Sequence, residues 1–230
     1  MSQRIVVHHL ENSRGNRAVW LMEELGVPYE IKMYQFDSFT FKADPALKKV
    51  HPAGKSPVVT DSDGTVVAES GLVMEYFGEK YRKTADLWAD DKKGLLAIKY
   101  GLYSAEANFM TAVSMVIGNV RARQSVPMGV SFVLGKLLGV IESRWAGPEL
   151  HRWLSLLDQQ IGENNGFCCN GRFTVADVMY ETNIYLMHKF TPHYLKDYDN
   201  IIKWYEAMHA RPAFKAAHEK ISQAVQTQLK

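Results

Sequence analysis

The chain has 230 residues, enough for one large domain or two small ones, and its 47% hydrophobic and 23% charged residues are ordinary for a globular protein. A net charge of +2 with no run of like charges argues for no nucleic-acid partner. No apolar run reaches the length of a membrane span. Val6, Val7 and Leu10 are interrupted by His8, His9 and Glu11, so no signal pattern opens the chain. The two cysteines, Cys168 and Cys169, are neighbours, which strains any disulfide between them; reduced thiols and a cytoplasmic location are expected.

Arg4–His8 is rich in Ile and Val and predicts a first strand. Asn12 and Ser13 break it, and Val19, Leu21, Met22 and Leu25 then recur at helical spacing up to Gly26-Val27-Pro28. Tyr29–Tyr34 alternates as a second strand, so the opening is a βαβ unit with parallel strands. A polar loop, Gln35–Asp44, leads to a short helix at Pro45–Lys49. Val58-Val59 and Val66-Val67 flank the turn cluster Asp61-Ser62-Asp63-Gly64 and predict a hairpin, with Pro57 at a strand start or an edge. Ser70 is placed as the N-cap of a helix running to about Tyr81.

The composition turns polar at Arg82–Asp90 and the strand pattern does not return. The predicted domains are therefore 1–82, a thioredoxin-like layer, and 91–230, all helical. Helical spacing marks Lys92–Val120 and Met128–Trp145, then a helix from Pro148 to about Glu163. Thr174 and Asp177 form a capping box for a helix to about Lys189. Asp199–Ala210 and Pro212–Val225 are the last two helices.

Each candidate for chemistry has a bland reading beside a sharp one. Ser13 serves as a helix cap worth about 1 kcal/mol, or as a hydroxyl donor aimed at a ligand beside a helix N-terminus; Asn12 could play the same part. No G-x-S-x-G elbow surrounds Ser13, so it is not read as a hydrolase nucleophile. Pro57 is an edge-strand start, or a cis proline leaving the Ser56 backbone open to a peptide-like ligand. Glu69 and Ser70 cap a helix, whose N–H groups also suit an anion. Lys55 is a surface residue unless a carboxylate lies near it. His8 and His9 point to opposite faces of one strand and read as packing, not as ligands of one metal. Cys168-Cys169 lacks the C-x-x-C spacing and the clustered histidines of a metal site.

Four stretches occur together and in order: Ser13-Arg14-Gly15-Asn16-Arg17, His51-Pro52-Ala53-Gly54-Lys55-Ser56-Pro57, Ala68-Glu69-Ser70, and Phe173-Thr174-Val175-Ala176-Asp177, followed by Arg211-Pro212-Ala213-Phe214. With these the chain resembles the cytosolic glutathione transferases, in particular fungal and bacterial members of the serine type. The resemblance spans nearly the whole chain. It implies a thioredoxin-like domain followed by an all-helical one, glutathione as co-substrate, no metal, a homodimer and a role in detoxification.

By the same resemblance Ser13 would hydrogen-bond the glutathione sulfur, and the Ser56 backbone beside Pro57 would pair with the cysteinyl part. Glu69 and Ser70 would hold the γ-glutamyl end, and Lys55 would lie toward the glycine carboxylate. An apolar second substrate would sit against the helix carrying Tyr103, Glu106, Phe109 and Met110. Two departures stand out: Ser56 occupies a position where an aliphatic residue is common, and Phe36–Asp44 has no His where several classes have one. The expected activity is transfer of glutathione to a small electrophile. The alternatives are a non-catalytic binding or regulatory module of the same fold, and a glutathione-dependent peroxidase using the same site. The chain ends soon after the helical domain, which tips the expectation toward the enzyme.

Overall fold

The computed structural model describes residues 4–37, 40 and 42–229. Its strands are β1 (Ile5–Leu10), β2 (Tyr29–Tyr34), β3 (Val58–Thr60) and β4 (Val66–Ala68), in the sheet order β2-β1-β3-β4. Its α-helices are α1 (Gly15–Leu25), α2 (Leu47–Val50), α3 (Ser70–Lys80), α4 (Lys92–Ser104), α5 (Met110–Gln124), α6 (Met128–Ile141), α7 (Gly147–Glu163), α8 (Val175–Phe190), α9 (Asp199–Ala210) and α10 (Pro212–Gln228). Residues 38, 39 and 41 of the expected loop Gln35–Asp44 lie outside the described residues.

β1 and β2 run parallel with Ile5 opposite Tyr29 and Leu10 opposite Tyr34, the register of the expected βαβ unit. β3 is antiparallel to β1 and to β4, which makes the sheet mixed. Gly26 ends α1 at φ 64, a left-handed turn that glycine takes without steric cost, and its N–H bonds back to the helix. Val7 and Val59 of the sheet are fully buried, as are Ala18, Val19, Leu21 and Met22 of α1 and Val73, Met74 and Phe77 of α3. Burial at about 25 cal/mol per Å² of apolar surface makes this layer cohere.

The chain separates into two compact units, residues 1–99 with 207–230, and residues 100–206. α10, in the stretch 91–230 expected to be all helical, packs with the first unit. The Trp20 ring of α1 meets Phe214 edge-on at 5.0 Å. The Arg211 guanidinium grips the Glu24 carboxylate with two bonds, of 2.6 and 2.8 Å. The Gln228 side chain accepts the Met33 N–H at 2.9 Å and donates to the Ile31 carbonyl at 2.8 Å, so it stands in for a neighbouring strand along the open edge of β2.

The second unit has its own core, with Phe109, Val113, Leu150, Leu154, Val175, Val178 and Met179 all fully buried. The capping box at α8 is present: Thr174 accepts the Ala176 N–H, and Asp177 reaches back to the Thr174 N–H. Asp177 also accepts from the Cys168 N–H and the Trp204 indole, each at 2.9 Å. Both cysteines are free and buried, and burial raises their thiol pKa values. Such thiols are poor nucleophiles.

Candidate functional site

The site is built where β1 ends, β3 begins and α3 starts, all within the first unit. Continuing the β1–β3 register, with His8 opposite Val58, sets Leu10 opposite Ser56. There the Ser56 hydroxyl takes over from the ladder: it accepts the Leu10 N–H at 3.2 Å and donates to the His8 carbonyl at 3.0 Å. That accounts for a polar side chain at a position where an aliphatic one is common. The Ser56–Pro57 peptide is cis.

α1 enters close beneath this corner. A Cβ on Gly15 would lie 2.8 Å from Ser56 Oγ and 3.1 Å from the His9 ring, so only glycine fits. The His9 ring is fully buried, its Nε2 donates to Asn16 Oδ1 at 2.6 Å, and burial holds its pKa below the usual value. A neutral imidazole thus pins the first turn of α1. The Gly15 N–H donates to Ser13 Oγ at 3.1 Å. The capping role read from the sequence therefore belongs to Ser13, while the residue immediately before the helix by backbone geometry is Arg14. A hydroxyl that accepts still has its own hydrogen to donate. Asn12 sits at φ 54, in the left-handed region that asparagine tolerates.

On the far side, α3 begins one residue earlier than the sequence reading had it. Ser70 is its first helical residue and is buried, and Glu69 is the residue before the helix, at φ 79. A glutamate in that region costs on the order of 1–3 kcal/mol, and such strain collects at functional sites. No side-chain cap covers the α3 N-terminus, and no acidic residue lies in its first turn. The leading N–H groups and the helix dipole there favour a negative charge.

Between these elements lies a cleft of about 260 Å³ lined by Arg14, His51, Ala53, Lys55, Ser56, Pro57, Val58, Ala68, Glu69 and Ser70. Lys55, Ser56, Pro57, Glu69 and Ser70 come together in its walls; Asn12 and Ser13 sit just before Arg14 and are not among the wall residues. Arg14 and His51 were given no role from the sequence. Their signal was position alone: a basic residue at the mouth of the first helix, and an imidazole opening the Pro-Ala-Gly-Lys turn. The arrangement offers two cationic side chains and a helix N-terminus for anions, and one carboxylate for a cation. Among the described residues no three His, Cys, Asp or Glu side chains gather as a metal site.

The residues expected to hold a second substrate separate. Tyr103 is exposed and Glu106 half-buried, whereas Phe109 and Met110 are buried in the core of the second unit. Phe109 packs against Tyr180 with ring centroids 6.0 Å apart. A side chain with no exposed surface cannot form the wall of an open site, so the expectation is corrected for Phe109.

Residues 2–79 match the family model of the glutathione S-transferase N-terminal domain, and residues 141–220 that of the C-terminal domain. Glutathione S-transferase 3 of Schizosaccharomyces pombe is 32% identical over 94% of this chain and 88% of its own length. Glutathione S-transferase 1 of Saccharomyces cerevisiae is 26% identical over 94% of both chains. Among solved structures, Ure2p in complex with glutathione superposes with a TM-score of 0.76, covering 94% of this chain and 99% of that one. At 17% identity that likeness speaks to the fold alone. Ure2p is also described as a yeast prion protein with a nitrogen regulation fragment.

Proposed function

Since the chain belongs to the glutathione S-transferase family, we propose that it binds glutathione in the cleft beside Ser56 and transfers it to a small electrophile. The observation that supports this reading is the charge layout of the cleft. Glutathione carries two carboxylates and one ammonium group on a peptide backbone. The α3 N-terminus at Ser70 and the Glu69 carboxylate suit the α-carboxylate and ammonium of the γ-glutamyl end. Lys55 and Arg14 suit the glycine carboxylate, and the Ser56 backbone beside Pro57 suits the cysteinyl amide.

The reacting group is the ligand's thiol, whose free pKa is roughly 8.5. Ser13 donates a hydrogen bond to the sulfur, and the positive end of α1 adds to it; both favour the thiolate. The thiol proton passes to solvent and the thiolate attacks the electrophilic carbon; in a substitution the leaving group departs to solvent, and in an addition the adduct takes up a proton from solvent. Ser13 keeps its own proton throughout. A homodimer in the cytoplasm belongs to the same reading.

The test is retention on immobilised glutathione followed by conjugation with an activated aryl halide. Retention with turnover supports the transferase. Retention without turnover assigns the chain to the non-catalytic binding modules. Turnover of an organic hydroperoxide in place of the aryl halide marks the peroxidase.

A further inference from the structure

Helix α6, of 14 residues, is MGVSFVLGKLLGVI, the most apolar helix of the chain, yet none of its described side chains is buried. Its half-buried side carries Ser131, Leu134, Gly135, Leu138 and Gly139. The Ser131 hydroxyl donates to the Arg123 carbonyl at 3.0 Å, and a Cβ on Gly139 would stand 3.6 Å from the Arg123 guanidinium. Arg123 in turn pairs with Glu142 at 3.7 Å, and Glu142 accepts the Tyr194 hydroxyl at 2.9 Å. Most of the other large side chains point the other way. Val133 is 69% exposed, Leu137 60% and Phe132 66%, with Val130, Val140 and Ile141 alongside and Trp145 just beyond the helix. Val130, Val133, Leu137 and Val140 follow three- and four-residue steps, so they form one stripe. One apolar stripe of the helix is thus turned to solvent.

The charges around the stripe identify what covers it. The basic residues of 121–148 are Arg121, Arg123, Lys136 and Arg144, and Glu142 is the acidic one. Glu142 is held inward by Arg123 and Tyr194, while Arg121, Lys136 and Arg144 are exposed, with Lys136 4.6 Å above the Phe132 ring. Every exposed charge of this segment is therefore positive. A direct pairing of α6 on α6 across a two-fold axis would set like charges together. An anionic lipid surface offers both an apolar interior and the opposite charge. The apolar stretch Met128–Ile141 measures about 21 Å at 1.5 Å per residue, short of the hydrocarbon thickness, and the helical run continues through the charged residues Glu142 and Arg144, so the stretch lies in the interface and does not span. No helix among the described residues is long and apolar enough to cross a membrane.

We propose that the outward face of α6, with Lys136 and Arg144 at its rim and Trp145 at its end, docks this protein on membranes bearing anionic lipids. The experiment floats the full chain with vesicles of phosphatidylcholine, with and without phosphatidylserine. The protein is expected to float with the anionic vesicles, less so as salt rises. Lys136→Glu reverses one charge and should weaken binding about tenfold or more, since each basic residue near such a surface contributes about 1 kcal/mol. Val133→Glu with Leu137→Glu should abolish binding; both sites are exposed, and unchanged circular dichroism and melting temperature confirm that the variant folds. Trp145 emission should shift to the blue on binding, a change absent in Trp145→Phe. No flotation of the wild-type chain overturns the proposal, as does flotation indifferent to both substitutions. Self-association abolished by Val133→Glu with Leu137→Glu, without vesicle binding, assigns the face to a second copy and also overturns it.

Discussion

The Ser13 hydroxyl oxygen accepts the Gly15 N–H at 3.1 Å. One side chain thus caps the helix and still holds a hydrogen for a ligand, so the two roles do not compete. Ser13→Ala should cost about 1 kcal/mol of stability from the lost cap. In the glutathione complex it should also raise the thiol pKa by one to two units, from a lost charge-assisted bond of roughly 1.5–3 kcal/mol. Turnover at neutral pH should then fall roughly ten- to a hundred-fold and recover in part at high pH. Thiolate absorbance against pH, for wild type, Ser13→Ala and Asn12→Ala, is the measurement. An unshifted titration in Ser13→Ala leaves the α1 N-terminus as the activating group.

Glu69 joins a strained backbone to a candidate binding group, and the two can be pulled apart. Glycine accepts φ 79 freely, so Glu69→Gly should gain about 1 kcal/mol of stability. The same change removes the carboxylate and should weaken glutathione binding about tenfold or more. Glu69→Ala should lose affinity alike while keeping the strain. Calorimetry of binding and a melting curve on both variants decide the matter; full affinity in Glu69→Gly moves the γ-glutamyl pocket elsewhere.

Asp177 is fully buried, and its two oxygens accept from the Cys168 N–H, the Trp204 indole and Thr174. Asp177→Ala strands these donors at roughly 1–3 kcal/mol each. A loss of at least about 3 kcal/mol is expected, a large share of a typical domain's stability. Urea unfolding reads it, and a loss below about 1 kcal/mol would show that the carboxylate does not hold α8 and α9 together.

His8 is buried between Tyr34 and Thr60, its Nδ1 2.9 Å from the Tyr34 hydroxyl and its Nε2 3.0 Å from Thr60 Oγ1. Burial first, and the Lys32 charge second, hold its pKa down at about 4. The unfolded imidazole titrates near 6.5. The folded pKa is the lower one, so the unfolded state takes up the proton first, and stability falls as pH drops from about 6.5 to 4. His8→Gln should flatten that part of the urea midpoint–pH curve while lowering its neutral-pH level. An unchanged slope assigns the acid sensitivity to His9 and the carboxylates.

The elements and their order follow from local signals in the chain. The period of two at Tyr29–Tyr34, the switch to helical spacing after Ser13, Gly26 after α1 and the Thr174–Asp177 capping box are local signals, and the chain obeys them locally. The stretches around Pro57 and Glu69 lie in the walls of the cleft, while Ser13 does not. Which distant groups become partners is settled by long-range contacts. The Ser56 hydroxyl is taken by β1, across 46 residues to Leu10. α10 joins the first unit because Arg211 meets Glu24 across 187 residues, a partnership with no local trace. Phe109 turns into a core because of where Tyr180 stands. α6 is the sharpest case: apolar residues on nearly every side give its pattern no phase, so the face it presents is set by Arg123 and Glu142 on its neighbours. Local periodicity encodes which residues share a face; which face is covered depends on contacts that close only when the chain has folded.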